Sequence, residues 1–446
     1  MSTLLLNGFP SLRLESHLEA RNKAVAARNI SAGAVVLSTP GFATVLLPSE
    51  KGRRCDACHL PGGGQRQAIL RCSGCASYFY CDSSCQKLHW PKHKLICKRW
   101  NSFATSPAFQ SLEEHEKMDA ILLTHTLAEL SVLHQTGGSQ AHFDTLMELL
   151  PSENSSQHPP VCPNAYPSCL EAQIQDIYSR FGNNNFAVHS HLNTFAHGVF
   201  PLASRTFNHS CAPNAAAKYI LNASHVVVME VVALRDITLG EEVCLTYLDP
   251  ALMQSRHQML EITYGFRCRC QSCQTLNSMD ATTLPIDASD LGALEASLRK
   301  FVGIGTGAIP SAPSQAIPRE LYCLFSEAYL GQLSETFSKA SHEGSYEVAQ
   351  QSGETLLALY IMIYPPNYPQ IGMHALEITK SRWNAAVVGD TKDTLYIKTT
   401  QYYLALSRAI LDIFGQEGDP DGPRQEISLL ESLINETLIQ EWSVNI

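Results

Sequence analysis

At 446 residues the chain exceeds the size at which one hydrophobic core keeps growing, so roughly two to four domains are expected. With 45% hydrophobic and 17% charged residues, and no apolar run near the roughly 18 residues of a membrane span, the composition excludes a transmembrane helix. A formal net charge of -10 weighs against a general nucleic-acid binder. Met1 to Pro10 contains Leu4-Leu5-Leu6 but no basic segment before it and no cleavage site. The chain therefore reads as neither secreted nor membrane-bound, and as working in the nucleus or cytoplasm. In such a reducing compartment its fifteen cysteines are expected to be metal ligands rather than disulfides.

In chain order, Ala24 to Arg28, Ala34 to Ser38 and Ala43 to Leu47 read as short strands, with a turn at Ser31-Ala32-Gly33. Cys55-x2-Cys58, Cys72-x2-Cys75, Cys81-x3-Cys85 and His93-x3-Cys97 then supply eight ligands in four pairs, enough for two tetrahedral zinc ions. An x2 pair fits a tight knuckle, and an x3 pair places both ligands on one face of a helical turn. His89 shares the four-residue spacing of Cys85, His93 and Cys97; because His93 pairs with Cys97, His89 is expected at the surface beside Trp90. Residues 51–100 hold ten Lys or Arg against Asp56 and Asp82, a net +8, which leaves -18 for the rest. A basic module thus sits on an acidic body, and that body suits a lysine-rich substrate better than nucleic acid.

A helical stretch around Met118 to Leu150 follows, then strands Val226 to Leu234 and Glu242 to Tyr247 about the turn Leu239-Gly240-Glu241. Glu241 and Glu242 could be paired carboxylates, but a turn opening a strand accounts for them. Cys268-x-Cys270-x2-Cys273 offers three thiolates where a closed zinc site wants four. The best fourth ligand is Cys211, in Asn208-His209-Ser210-Cys211. Cys162, Cys169, Cys244 and Cys323 stand apart and read as small buried hydrophobes. Asn277 to Leu291 reads as a linker. Amphipathic stretches come next at Leu291 to Val302, Pro318 to Ser338, Tyr346 to Tyr364, Gly372 to Val387, Thr394 to Phe414 and Gln425 to Trp442. They suggest an antiparallel helical array without a strict repeat. Residues 276–446 carry a net -11, which could give a basic peptide an acidic wall.

The run Tyr80-Cys81-Asp82-Ser83-Ser84-Cys85-Gln86-x2-His89-Trp90-x2-His93-Lys94-x2-Cys97 resembles the MYND zinc finger. Cross-bracing in that family implies Cys55, Cys58, Cys81 and Cys85 on one ion and Cys72, Cys75, His93 and Cys97 on the other. The segments Asn208-His209-Ser210-Cys211-x-Pro213-Asn214, Gly240-Glu241-Glu242, Thr246-Tyr247-Leu248-Asp249 and Tyr264-Gly265-Phe266-x-Cys268 resemble the SET domain of SET-and-MYND (SMYD-type) protein lysine methyltransferases. The likeness is strong over about the first 275 residues and looser beyond. It implies an α+β fold: a β-rich SET domain split by the MYND finger and a helical insertion, a cysteine-rich post-SET zinc site, and a C-terminal all-helical domain of tetratricopeptide (TPR-like) type. The implied segments are 1–50, first part of the SET domain; 51–100, MYND; 101–180, helical insertion; 181–250, core SET; 251–275, post-SET; and 276–446, helical domain.

The resemblance implies S-adenosylmethionine as cofactor, contacted by Asn208 and His209, by Asn184 and Asn185, and by Phe266, with three structural zinc ions. Where the family has Gly-x-Gly, this chain reads Arg21-Asn22-Lys23; Asn22 is kept as a cofactor ligand, and Lys23 is expected to meet the cofactor carboxylate. Phe186, Tyr247, Tyr264 and Phe266 are implied to wall a lysine channel, with Tyr247 catalytic. The implied partner is a protein carrying the target lysine, histone or otherwise. The finger could also dock a proline-rich peptide or touch nucleic acid weakly. The competing reading is a catalytically silent zinc-finger and TPR-like adaptor, prompted by the altered Arg21-Asn22-Lys23 loop.

Overall fold

The computed structural model describes residues 8–444 apart from 19, 63–67, 153–156, 222–225, 280–283, 286, 306–309, 311, 313–314 and 390–392. Leu4-Leu5-Leu6 and Arg66 lie outside the described residues, as do the side chains of Cys169 and of residues 438–444.

Small sheets build the β-rich part. Leu12–Glu15 pairs antiparallel with Lys23–Ala26. Val228–Ala233 lies between Val35–Pro40 and Ala215–Ile220. Asn193–Val199 lies between Ala43–Leu46 and Asn185–Ser190. Leu37, Phe195, Tyr219 and Val231 from these strands form one buried core with Phe200 and Phe207, which flank the short helix Pro201–Thr206. Several strands bury consecutive residues, as Ala24 to Ala26 and Val231 to Ala233 do, because both faces of these short strands are covered. Glu242 to Tyr247 yields only Cys244–Leu245 as strand, paired parallel with Asn208–His209.

The finger interrupts this β unit. Asp82 caps the finger's helix, Ser83–Ile96, by accepting the Ser84 and Cys85 amides at 2.8 Å. The helical stretch near Met118 is two helices, Glu114–Thr136 and Ala141–Met147, because Gly137 adopts φ 65° and ends the first. Finger and helices share one core in which Cys55, Trp100, Phe103, Ile121 and Phe181 are buried together. The zinc module is thus built into the molecule's packing.

Beyond the third cysteine cluster, Ala288–Val302, Glu327–Glu343, Tyr346–Ile363, Pro369–Val388, Thr394–Phe414 and Pro423–Val444 form the helical array. Their apolar faces make two buried clusters. Pro318 to Ser338 is not one helix. A short 3-10 turn at Arg319–Leu324 precedes Glu327–Glu343, whose cap Ser326 accepts the Tyr329 amide at 3.1 Å.

Candidate functional site

Three groups of side chains converge as zinc donors. Cys55, Cys58, Cys81 and Cys85 form one; Cys72, Cys75, His93 and Cys97 the second; Cys211, Cys268, Cys270 and Cys273 the third, each with its ligand atoms within 4.8 Å of one another. A tetrahedron of zinc–sulfur bonds about 2.3 Å long has edges of about 3.8 Å. Cys58 to Cys81 at 3.6 Å, Cys72 to Cys97 at 3.8 Å and Cys211 to Cys273 at 3.5 Å match that edge. Cys75 Sγ to His93 Nε2, at 3.5 Å, suits a sulfur–nitrogen edge.

His89 is not a surface residue. It is only 7% exposed, its Nδ1 hydrogen-bonds Tyr80 Oη at 3.0 Å, and its ring stacks on His125 at 6.0 Å. The four-residue spacing that suits a ligand also turns His89 inward. Burial pushes its pKa well down, as it does for His125, so both rings pack as neutral groups.

Beside the third cluster opens a cavity of about 1110 Å³, walled by the β unit, the cysteine segment and the helical array. The parallel pairing of Asn208–His209 with Cys244–Leu245 fixes its floor. Asn208 Nδ2 donates to the Asn22 carbonyl and to Glu242 Oε1, both at 2.8 Å. His209 Nδ1 accepts the Tyr247 amide at 2.9 Å, which leaves the proton on Nε2, and Nε2 donates to Cys211 Sγ at 3.1 Å. Both imidazole nitrogens are therefore engaged, and His209 offers the cavity its ring face and main chain. The Asn-His-Ser-Cys run ties cavity to zinc with a single side chain.

Tyr247 Oη donates to the Phe207 carbonyl at 2.7 Å. Burial raises the Tyr247 pKa, with Tyr264, Cys244 and Glu242 adding to it, so the phenol is neutral. Its ring lies 5.0 Å from that of Tyr264 and 6.4 Å, edge to face, from that of Phe266. Gly265, at φ 72°, ends the helix Arg256–Tyr264 and sets these last two rings on either side of a turn. Phe186 also lines the cavity but stands apart from this trio, packed edge to face on Phe200 at 5.8 Å within the β core.

Asn22, Asn184 and Asn185 line the same cavity. Asn184 Nδ2 donates to the Arg180 carbonyl at 2.7 Å, whereas Asn22 Nδ2 is a buried donor without a partner among the described residues. Lys23 does not line the cavity. As the first residue of Lys23–Ala26 it faces across the hairpin, and its ammonium lies 3.5 Å from Glu15. Cationic charge comes instead from Arg21, bonded to the Glu148 carbonyl, and from the nearly buried Arg205, which donates to Asn22 Oδ1 at 3.3 Å and lies 3.5 Å from Glu148. Arg205 carried no motif signal; only its place, three residues before Asn208, pointed to it. The acidic wall expected from the helical domain is not at this cavity, where that domain contributes Tyr368, Pro369 and Phe414. Glu241 is structural: despite burial, hydrogen bonds from Arg235 and the Thr238 amide hold its pKa down to about 2.

A Cys/His-braced finger set into a β domain, a third cysteine cluster, and an aromatic cavity against it are the arrangement that the SET-and-MYND resemblance implies. The MYND finger family model matches residues 53–97. The chain is 28% identical over 261 residues to N-lysine methyltransferase SMYD2-B of Xenopus laevis, covering 56% of this chain and 57% of that protein. It is 26% identical over 281 residues to N-lysine methyltransferase SMYD2 of Gallus gallus, covering 58% and 59%. To the Homo sapiens SMYD2 it is 27% identical over 263 residues, covering 54% and 55%. The matches thus span somewhat over half the length of these relatives. A crystal structure of the SET domain of LSMT bound to lysine and AdoHcy aligns over 98% of this chain and 91% of that one, at 14% identity and a TM-score of 0.26, a likeness too slight to carry an argument. The chain is thus similar to these SMYD2 proteins over somewhat more than half of its own length.

Proposed function

We propose that the chain is an S-adenosylmethionine-dependent protein-lysine N-methyltransferase acting on a lysine of a histone or another protein. The observation that carries this reading is the Tyr247 hydroxyl, its proton committed to the Phe207 carbonyl, facing an aromatic cavity one strand pair away from Asn208 and His209. The residues present fit the cofactor. Arg21 and Arg205 supply positive charge for its carboxylate, Asn22 Nδ2 is an unpartnered buried donor, and Asn184, Asn185 and Phe266 stand round the same space. When bound, S-adenosylmethionine supplies a sulfonium methyl group open to displacement by a nucleophile.

The lysine must be neutral to attack, and a free lysine with pKa near 10.4 costs about 4.6 kcal/mol to deprotonate at pH 7. Tyr247, Tyr264 and Phe266 exclude water from the amine and so favour its neutral form. Because Tyr247 donates its only proton to Phe207, its oxygen lone pairs remain to accept from the amine and aim the nitrogen in line. The neutral phenol orients the amine and does not act as its base. The MYND finger is assigned a docking role towards a proline-rich peptide or, through its lysines, a weak nucleic-acid contact. The proposed compartment is the nucleus or cytoplasm.

Radiolabelled methyl transfer to mixed protein substrates tests the reading. Tyr247→Phe, which keeps the ring and removes the oriented acceptor, is expected to lower transfer about 10²-fold or more while cofactor binding persists. A wild-type protein that neither binds S-adenosylmethionine nor transfers label would leave the silent-adaptor reading standing instead.

A further inference from the structure

The helix Arg256–Tyr264 begins with a charged residue in an unexpected place: Arg256 is only 1% exposed, among the largest fully buried side chains. A buried guanidinium needs a compensating negative charge, yet Arg256 has no carboxylate partner among the described residues. It donates to the Pro250 carbonyl at 3.0 Å, to Ser272 Oγ at 3.2 Å and to Cys273 Sγ at 3.3 Å, while its Nε is unpartnered. The anion beside it is the third cysteine cluster. Four thiolates around one divalent zinc carry a net charge of about -2, which is costly to bury uncompensated.

We propose that Arg256 is a positioning residue for the third zinc site. It neutralises part of the tetrathiolate charge through Cys273 and, through the Pro250 carbonyl, fastens the segment that follows Tyr247 to that zinc. His209 Nε2 gives the site a second N–H donor, at Cys211. The two donors thus hold different sulfurs and lead to the two ends of one loop: His209 accepts the Tyr247 amide, and Arg256 donates to Pro250. Donors of this kind orient thiolates and moderate the electron density on sulfur. The inference rests on zinc binding and not on methyl transfer, so it can fail or succeed without regard to the proposed activity.

The test uses the full-length zinc-loaded protein and reads zinc release to a chromogenic chelator, with the two finger ions as internal standard. Arg256→Met is expected to release one zinc per chain about 10- to 100-fold faster than wild type, with the two finger ions unchanged. Arg256→Lys, which keeps the charge, is expected to fall between them. In cobalt-substituted protein, loss of charge and N–H donor at Cys273 should move the thiolate-to-cobalt charge-transfer band to longer wavelength in Arg256→Met and less in Arg256→Lys. Leu260→Ala, which loosens packing against the same cysteines, should leave the band in place. If Arg256→Met does not fold, Arg256→Gln against Arg256→Lys decides, the neutral variant releasing zinc faster. Equal release from these charged and neutral variants, or the same band shift in Leu260→Ala, would overturn the proposal.

Discussion

Asn208, His209 and Tyr247, three polar side chains at the cavity, are each placed by bonds within the protein. Asn208 spends both amide hydrogens on Asn22 and Glu242, His209 both nitrogens on Tyr247 and Cys211, and Tyr247 its proton on Phe207. Asn22 differs: its Oδ1 accepts from Arg205, but its Nδ2 is buried without a partner among the described residues, and a buried donor is costly until it is paired. Asn22→Ala is accordingly expected to raise the S-adenosylmethionine Kd about 10- to 100-fold by calorimetry, the value of one hydrogen bond to a charged acceptor. An unchanged Kd would remove Asn22 from the site. At this scale the sequence was most legible where chemistry forces spacing. All twelve zinc ligands fall where their motifs put them, because tetrahedral geometry leaves few arrangements of thiolates. Lys23 and His89 lie away from their expected places because charge and spacing say nothing of which way a side chain turns. Arg205 and Arg256 carry no pattern, since each is defined by distant partners.

Among the elements, two short ones matter out of proportion to their length. The parallel pair Asn208–His209 with Cys244–Leu245 is two residues deep, too short for any period to reveal. Ala215–Ile220, with its alanines, has a helical propensity that pairing with Val228–Ala233 overrides. The other is the link between the helices Thr394–Phe414 and Pro423–Val444, which straps the helical domain to the β unit and to the finger. Lys218 donates to the Phe414 carbonyl at 3.0 Å, the Gly418 amide to the Tyr219 carbonyl at 2.7 Å, and Arg54 holds both oxygens of Asp419. Within it Glu417 is buried, accepting the His191 amide at 2.9 Å.

Burial raises the Glu417 pKa to about 7, against the opposing pull of the His191 amide and Lys218. A carboxyl whose folded pKa lies above its unfolded value binds more protons folded than unfolded between those two values. Its contribution to stability therefore falls as pH rises from about 4.5 to about 7. Glu417→Gln cannot ionise, so its Tm relative to wild type is expected to rise across that window and to level off above it. Thermal melts of both proteins from pH 5 to pH 8 check this; parallel curves would show that Glu417 does not titrate there.

For the molecule as a whole, the zinc ions divide into two structural roles. The finger's cysteines share a core with the helical insertion, so the finger is a structural part of that insertion. The third cluster packs with Tyr247, Tyr264 and Phe266. Cys268→Ser is thus expected to reduce zinc content from three ions per chain to two and to abolish methyl transfer while the finger ions stay. Retention of transfer with two ions would uncouple zinc from the cavity. Net charge was the least informative global property, since an acidic chain has built a cavity with several arginines in its wall. Charge totals describe the surface as a whole, whereas a site depends on the few side chains that reach it.

The most direct measurement is mass spectrometry of mixed protein substrates incubated with S-adenosylmethionine and either wild-type protein or Tyr247→Phe, with the modified residue mapped by fragmentation. The account predicts methyl increments on lysine side chains that appear with wild type and are nearly absent with the variant. Increments on another residue type, or equal lysine methylation by both proteins, would contradict it.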